Sequence, residues 1–243
     1  MESQTIKEYE QLEKNYWWFV GRRKIIERIL RTYFSERKLS ILDWGCGPGA
    51  NFAVLGEFGH VLGVDASNES VAACQRKGIH VEKAAMLDEF RSSEKFDLVT
   101  NLDVLEHIQE DEEFIADLKK FLVPQGYVLV TVPAYKFLWS SHDDINQHKR
   151  RYTKKELTRK FEHAGYQIIK ASYFMFFVSP AFILHRFIQK FTKPKTSDFQ
   201  QSFIKLPELI SRLLIGIVSL ESFIIPYVSL PFGTSILVLA KKQ

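Results

Sequence analysis

An aspartate followed by three alternating glycines, in Asp43-Trp-Gly45-Cys-Gly47-Pro-Gly49, is the segment of this sequence best suited to bind a ligand. It follows an apolar run, Leu39 to Leu42, that is typical of a short buried strand. Glycine tolerates positive φ angles and lets the backbone approach a ligand closely. A turn that leads into a helix also leaves N–H groups unpaired, and these attract an anion. We therefore expect an anion-binding turn in which Asp43 accepts from a cationic group or holds the loop.

A second aspartate, Asp65, ends another predicted strand, Val61 to Val64. In parallel α/β sheets the carboxyl ends of the strands share one edge, and ligands bind in the crevice there. A carboxylate at that edge can accept hydrogen bonds from both hydroxyls of a ribose, and it repels a 2′-phosphate. Asp43 and Asp65 are therefore expected to border one site for a ribose-containing ligand.

Three histidines could take a proton from a hydroxyl group, because imidazole titrates near neutral pH. His107 follows the fourth predicted strand, whereas His142 and His148 lie in a polar loop, about residues 133–152, after the fifth. Loops on rigid scaffolds often carry function. The alternatives are that Glu106 and His107 cap and pack the next helix, and that the loop is only a solvated polar segment.

A metal site is a further alternative for His142, Asp143 and His148, since imidazole and carboxylate suit several metals. Their spacing matches no standard zinc pattern, and we predict no metal ligand. The two cysteines, Cys46 and Cys74, are too few for a disulfide framework or a cysteine-rich metal site. They favour a reduced, cytosolic setting.

Basic and aromatic side chains cluster in the loop and near the N-terminus, where they could bind the phosphate or carboxylate of a substrate. The alternatives are that the basic residues are solvated or paired and that the N-terminal aromatics only dock their helix. The candidate substrate contacts are Trp18, Arg22, Arg23, Trp139, Arg150, Arg151 and Tyr152.

Apolar strands alternate with helical segments along most of the chain, which predicts a parallel, doubly wound α/β sheet. The predicted strands run from Leu39 to Asp43, Val61 to Val64, Ile79 to Glu82, Phe96 to Thr100, Tyr127 to Val132, onward from Tyr166, and from Ser235 to Ala240. The predicted helices cover most of residues 1–38 and run from Ala50 to Glu57, Ser67 to Arg76, Asp111 to Leu122 and Thr153 to Ala164, the last with a capping box to Glu156.

Residues 175–230 depart from this rhythm and indicate an inserted helical region before the last strand. An apolar stripe recurs at helical spacing at Leu206, Leu209, Ile210, Leu213, Leu214, Ile217, Leu220 and Ile224. Basic residues flank it, namely Arg186, Lys190, Lys193, Lys195, Lys205 and Arg212. The pattern fits helices lying in a membrane interface. The alternative is a buried cap or a dimer face.

The 243 residues suit one domain with an insertion. We divide them into an N-terminal helical lid (1–38), an α/β core (39–174), the insertion (175–230) and the last strand (231–243). The net charge of +4 permits attraction to anionic lipid but does not demand nucleic acid. A polar N-terminus and the absence of about 18 uninterrupted apolar residues disfavour a secretory signal and a clean spanning helix. We expect a cytoplasmic protein, peripheral on the inner face of the membrane if the insertion contacts lipid.

The acid-x-G-x-G-x-G pattern from Asp43 to Gly49 resembles the first motif of class I S-adenosylmethionine-dependent methyltransferases, of the type 11, 12 and 23 kind. Residues 96–108 resemble that family's fourth-strand motif, and residues 122–130 its fifth-strand turn. The resemblance covers about residues 39–170 and the last strand. It implies a Rossmann-like, mostly parallel seven-stranded sheet and S-adenosylmethionine as cofactor.

Carried over from the family, the cofactor contacts would be Asp43, Gly45, Cys46, Gly47, Gly49, Asp65, Ala66, Ala85, Asn101 and Leu102. Of these, Asp43, Gly45 and Gly47 would line the methionine end of the cofactor. Asp65 and Ala66 would contact the ribose and adenine, and Asn101 and Leu102 would flank the sulfonium. The family's usual adenine-contacting acid after the third strand is missing here, so Ala85 would contribute only its backbone. The segment around His107 resembles quinone-pathway O-methyltransferases, in which this histidine lies near the cofactor.

The sequence thus predicts a methyltransferase that methylates an oxygen atom of a small or lipid-linked acceptor, such as a polyprenyl-linked sugar, a lipid or a quinone precursor. Three alternatives remain. One is a catalytically silent fold that binds a membrane or a protein, and another is a nicotinamide-dependent oxidoreductase, which the glycine spacing disfavours. The third is a nucleic-acid methyltransferase, which the absence of an Asn-Pro-Pro-Tyr motif and of a long basic stripe disfavours.

Overall fold

A seven-stranded sheet forms the centre of the protein in a computed structural model that describes residues 10–35, 38–192, 203 and 206–243. The strands are β1 (Leu39–Trp44), β2 (Gly59–Asp65), β3 (Val81–Lys83), β4 (Phe96–Leu102), β5 (Leu122–Pro133), β6 (Tyr166–Phe174) and β7 (Ser235–Lys242). They lie in the order β3-β2-β1-β4-β5-β7-β6. The first five pair in parallel, and β7 is antiparallel to both its neighbours. The mostly parallel sheet expected from the sequence is confirmed.

Helices cover both faces of this sheet, as the doubly wound prediction requires. They are α1 (Trp17–Phe34), α2 (Phe52–Leu55), α3 (Asn68–Arg76), α4 (Asp111–Asp117), α5 (Ser141–Ile145), α6 (Lys154–His163), α7 (Ser179–Thr192) and α8 (Glu208–Ile224). Residues 10–15 are also helical, whereas residues 1–9 and 36–37 of the predicted N-terminal helices lie outside the described part.

Local hydrogen bonds explain where several helices begin and end. The predicted capping box of α6 is present, because the Thr153 side chain accepts from the Glu156 N–H at 3.2 Å. The loop after β5 contains a helix, α5, that the sequence did not predict. The Asp143 carboxylate caps its first turn by accepting from the Ser140 N–H at 2.8 Å. The helix predicted from Asp111 to Leu122 is shorter, because its last turn is a 3-10 turn and Leu122 already belongs to β5.

In the described residues of the insertion, which are 175–192, 203 and 206–230, two helices, α7 and α8, lie between β6 and β7. Helix α8 packs against α1, and its inner residue Val218 is fully buried. Its outer residues, such as Leu213 and Leu220, are exposed. None of the helices in the described part of the chain has the length and the apolar composition of a membrane span. The flanking Lys193, Lys195 and Lys205 lie outside the described part.

The contact between α1 and α8 depends on the absence of a side chain at Gly21. A Cβ placed there would lie 2.8 Å from Cγ1 of Val218 and 3.4 Å from Cε of Met175. Valine is stiff because it branches at Cβ, so the overlap could be relieved only by moving a helix. The inserted helix is therefore fitted to the N-terminal helix.

We predict that Gly21→Ala lowers the free energy of unfolding by about 1–2 kcal/mol, because overpacking a core outweighs the helix propensity gained. Gly216→Ala in α8 is the matched control, since no atom lies within 4 Å of a Cβ there. It should raise the free energy of unfolding by about 0.5–1 kcal/mol. Urea denaturation measures both, and Val218→Ala should partly rescue Gly21→Ala. A stabilised Gly21→Ala protein would show that the two helices are not in close contact.

Candidate active site

A cleft with about 1170 Å³ of empty space, its open mouth included, lies at the carboxyl ends of β1 and β4. The turn after β1 contributes residues 45–47. The other walls come from the end of β4, the loop after β5, the start of β7, helix α7, and residues 13–22 of the N-terminal region. The cleft therefore lies at the edge of the sheet where α/β proteins bind ligands.

The glycine turn presents bare backbone to this cleft. Gly45 and Gly47 have φ angles of +76° and +55°, in the left-handed region that favours glycine. A Cβ at Gly45 would lie 2.3 Å from Val104 Cγ2, whereas a Cβ at Gly47 would meet no atom within 4 Å. Gly45 is thus required by packing, and Gly47 leaves open space that a ligand could fill.

Two aspartates lie next to this turn: Asp65 binds it, and Asp43 precedes it at the end of β1. Asp65 accepts from the Gly47 N–H at 2.8 Å and from the Ser67 N–H at 2.9 Å, so it joins the ends of β1 and β2. Asp43 is 1% exposed, and its Oδ1 accepts from the Thr100 hydroxyl at 2.6 Å. Its Oδ2 is buried without a hydrogen-bond partner. Burial raises the pKa of Asp43 to about 6, against the lowering effects of Thr100 and Arg22.

The three histidines predicted from the sequence lie together in the cleft wall. The ring centroids of His107 and His148 are 4.7 Å apart, and those of His142 and His148 are 6.2 Å apart. Burial lowers the pKa of His142 to about 4. Burial and, to a smaller extent, nearby His148 lower the pKa of His107 to about 4 as well. These two rings are therefore neutral near pH 7.

Asp143 is fully buried and orients His148. Its Oδ1 lies 2.9 Å from His148 Nδ1 and accepts from Arg151 Nε at 2.7 Å, and its Oδ2 accepts from Arg151 Nη2 at 3.0 Å. Burial opposes ionisation of Asp143, yet these bonds outweigh it and hold the pKa of the carboxyl well below its usual range. Because a carboxylate only accepts, Nδ1 of His148 must donate, which leaves Nε2 as a proton acceptor.

A metal ion could be held by Glu106, His107 and His148, whose possible ligand atoms lie within 4.8 Å of one another. Glu106 is 1% exposed, and its Oε2 is buried without a hydrogen-bond partner. This set differs from the one that the sequence suggested, because the oxygens of Asp143 are taken by His148, Arg151 and Ser140.

A family model described as a methyltransferase domain matches residues 17–171. The chain belongs to this methyltransferase family. Ubiquinone biosynthesis O-methyltransferase from Rickettsia prowazekii is 30% identical over 152 residues, which cover 54% of this chain and 60% of that protein. A probable S-adenosylmethionine-dependent methyltransferase from Mycolicibacterium smegmatis is 25% identical over 161 residues, covering 64% and 61%. The chain thus spans about three fifths of the length of each of these relatives.

Solved structures of methyltransferases share the fold over nearly the whole chain. One from Thermotoga maritima, described as a possible histamine N-methyltransferase, has a TM-score of 0.60 at 14% identity and covers 99% of this chain and 97% of its own. Another from Archaeoglobus fulgidus has a TM-score of 0.57 at 19% identity, with 96% and 99% covered. The Rossmann-like class I fold expected from the sequence is confirmed.

The cofactor of this methyltransferase is S-adenosylmethionine, and the site has features that fit it. The open space at Gly47 is a cradle that a Cβ would fill. The buried, unpartnered Oδ2 of Asp43 is an acceptor that lacks a donor, and the ammonium group of an amino acid is such a donor.

The predicted cofactor contacts divide into two groups. Four of them line the cleft, namely Gly45, Cys46, Gly47 and Leu102, and Asp43 lies buried at the strand end before Gly45. The remaining five do not line it: Gly49, Asp65, Ala66, Ala85 and Asn101. The N–H of Ala85 donates to Glu89 at 2.8 Å. Asn101 is fully buried, so Asp103 takes its expected place beside the cleft.

The predicted substrate contacts divide in the same way. Trp18, Arg22 and Arg151 line the cleft. The other four do not, because their polar groups are engaged elsewhere. Arg23 donates to the carbonyl of Glu13, Trp139 to Asp144, Arg150 to the carbonyl of Gln109, and the fully buried Tyr152 to Asp111.

Sequence reasoning missed several residues in the cleft wall, notably Glu13, Asp103, Phe182 and Arg186. Asp103 pairs with Arg22, and this ion pair joins the end of β4 to α1. The one available signal for Arg186 was a basic residue within an apolar helix. Glu13 gave no signal, because nothing local shows that residues 10–16 reach the glycine turn.

We predict that Gly47→Ala weakens binding of S-adenosylhomocysteine at least tenfold, because the new methyl group would occupy the open space at the turn. Gly78→Ala is the matched control, since Gly78 has a φ of +71° and also meets no atom within 4 Å. Both substitutions should cost about 1–2 kcal/mol of folding stability through the left-handed backbone. Calorimetry measures the affinity and thermal melting the stability. Equal affinities for the two variants would show that the cofactor does not contact Gly47.

Proposed function

We propose that this methyltransferase transfers a methyl group to a hydroxyl oxygen of a small or lipid-linked acceptor. The observation that carries the proposal is His148, which is oriented by a buried carboxylate and lines the same cleft as the glycine turn. A base in the cleft wall fits a hydroxyl acceptor, since a hydroxyl must lose its proton as it is methylated. S-adenosylmethionine supplies the electrophilic methyl group.

In this proposal the chain contributes positioning and proton removal. The glycine turn, with Asp43, Gly45, Cys46 and Gly47, would hold the amino-acid end of the cofactor. Asp65, which does not line the cleft, would hold the turn in place through the Gly47 N–H. His148 would accept the acceptor's proton at Nε2 while Asp143 stabilises the resulting imidazolium. His107 and His142, neutral in the cleft wall, would contact the acceptor or exclude water.

The insertion supports an amphiphilic acceptor. Its helix α7 contributes Phe182 and Arg186 to the cleft, and on the same helix Leu184 is 60% and Phe187 60% exposed. Thirteen of the fifteen large apolar side chains that are exposed in the described part of the chain lie in residues 177–232. Exposed apolar side chains concentrated in one region of a chain favour an interaction site there. We infer that it contacts a membrane peripherally and brings the cleft close to lipid-soluble molecules.

The relatives favour the same class of acceptor, since several are named ubiquinone biosynthesis O-methyltransferases. A quinone precursor with a prenyl chain is an amphiphile with a hydroxyl group. A catalytically silent binding module is not favoured, because the glycine turn and the candidate base line one cleft in a chain that belongs to a methyltransferase family.

We predict that His148→Asn lowers kcat for methyl transfer by about 10²–10⁴-fold, the usual contribution of a general base. Affinity for S-adenosylhomocysteine should be unchanged. His163→Asn, at the exposed end of α6, is the control and should keep full activity. The assay follows labelled methyl from S-adenosylmethionine onto a lipid extract, with mass spectrometry of the product. A fully active His148→Asn enzyme would remove His148 as the base, and label on nitrogen would contradict O-methylation.

We also predict that the protein sediments with vesicles of phosphatidylcholine and phosphatidylglycerol. Leu213→Glu combined with Leu220→Glu should weaken this binding at least tenfold, because each buried leucine is worth about 1.5–3 kcal/mol. Met86→Glu is the control, since Met86 is 61% exposed but lies outside the insertion. Unchanged sedimentation of the double variant would show that α8 does not face the membrane.

A further inference from the structure

Two buried carboxylates at the glycine turn each have an oxygen without a partner. Glu13, in the helical segment before α1, lines the cleft, is 5% exposed, and has an unpartnered buried Oε2. Asp43, directly before the turn, is 1% exposed and has an unpartnered buried Oδ2. Buried polar atoms nearly always have hydrogen-bond partners. Two such exceptions at one place indicate a missing donor.

We propose that Glu13 and Asp43 together bind the α-ammonium group of the cofactor. Residues 10–16 then contribute a cofactor ligand and do not only close one side of the cleft. This inference rests on the assignment of S-adenosylmethionine as cofactor. It adds a ligand, Glu13, that lies outside the glycine motif.

An ammonium group fits because the cations near Glu13 are already engaged. Arg22 pairs with Asp103 and also donates to Asn51 at 3.5 Å. Arg23 donates to the backbone carbonyl of Glu13 at 2.6 Å, not to its carboxylate. Lys77 pairs with Glu10 at 2.6 Å and donates to the carbonyl of Pro48 at 2.8 Å. The Oε2 of Glu13 thus remains open to a donor from the cleft.

The charges around the pair fit the same role. The pKa of Glu13 is raised to about 7, mainly by burial and to a smaller extent by nearby Asp43, against the lowering effects of Arg22, Arg23 and Lys77. A cation held between Glu13 and Asp43 would favour the ionised form of both. An ammonium offers three N–H donors, so it can serve two carboxylates at once.

The test uses two ligands that differ at this end. S-adenosylhomocysteine carries the ammonium group, whereas 5′-methylthioadenosine lacks the whole amino-acid end. We expect Glu13→Gln to weaken binding of S-adenosylhomocysteine at least about tenfold in calorimetry and to leave 5′-methylthioadenosine unchanged. Glu10→Gln, one turn earlier in the same segment, is the matched control and should bind both ligands like wild type.

The pH dependence gives a second measurement. If only ionised Glu13 and Asp43 bind the ammonium, wild-type affinity for S-adenosylhomocysteine should fall about 15-fold from pH 7.5 to pH 6. In Glu13→Gln the affinity should fall only about twofold over the same pH range. The remaining decrease comes from protonation of Asp43, whose pKa is about 6. Thermal melting checks that the variant folds.

The outcomes separate the two claims. If wild type binds no S-adenosylhomocysteine, the assignment of the cofactor fails. If wild type binds it and Glu13→Gln binds it equally well, only the role of Glu13 fails. Equal weakening of both ligands by Glu13→Gln would also overturn the proposal, because Glu13 would then act on the shape of the cleft.

Discussion

The hydrogen bond from the Gly47 N–H to the Asp65 carboxylate holds the ends of β1 and β2 together. The rest of the site is built around it. The bond fixes the left-handed turn at Gly47, and the turn leaves open the space above its backbone. It also turns a carboxylate towards the point where two parallel strands end, which is where α/β sheets bind ligands. Without this hydrogen bond the open space at Gly47 would not be held in place.

Two kinds of buried charge surround this turn and serve different purposes. The Asp143 carboxylate is fully paired with His148, Arg151 and Ser140, so it fixes the loop after β5 and one ring orientation. A satisfied network of this kind is rigid. Asp43 and Glu13 instead keep unpartnered oxygens, which are costly unless a ligand supplies donors. The loop after β5 therefore holds a satisfied network around Asp143, whereas Asp43 and Glu13 at the glycine turn keep unmet hydrogen-bonding capacity.

The strands and the mostly parallel sheet could be predicted from the sequence, because strand and helix patterns are local. The glycine spacing located the turn after β1. The sequence also placed His107 and His148 near one edge, since both follow strands that end there. It could not place Tyr152, which resembles a surface residue of a basic loop but is fully buried on Asp111. Nor could it find Glu13, because nothing local shows that residues 10–16 lie beside the glycine turn. Contacts between distant segments leave no periodicity in the chain.

The most direct test of the central claim is a crystal structure of the protein grown with S-adenosylhomocysteine. We expect its amino-acid end above Gly47, with the ammonium nitrogen about 3 Å from carboxylate oxygens of Asp43 and Glu13. Density for the ligand elsewhere, or a cleft closed by the protein's own side chains above Gly47, would contradict the account.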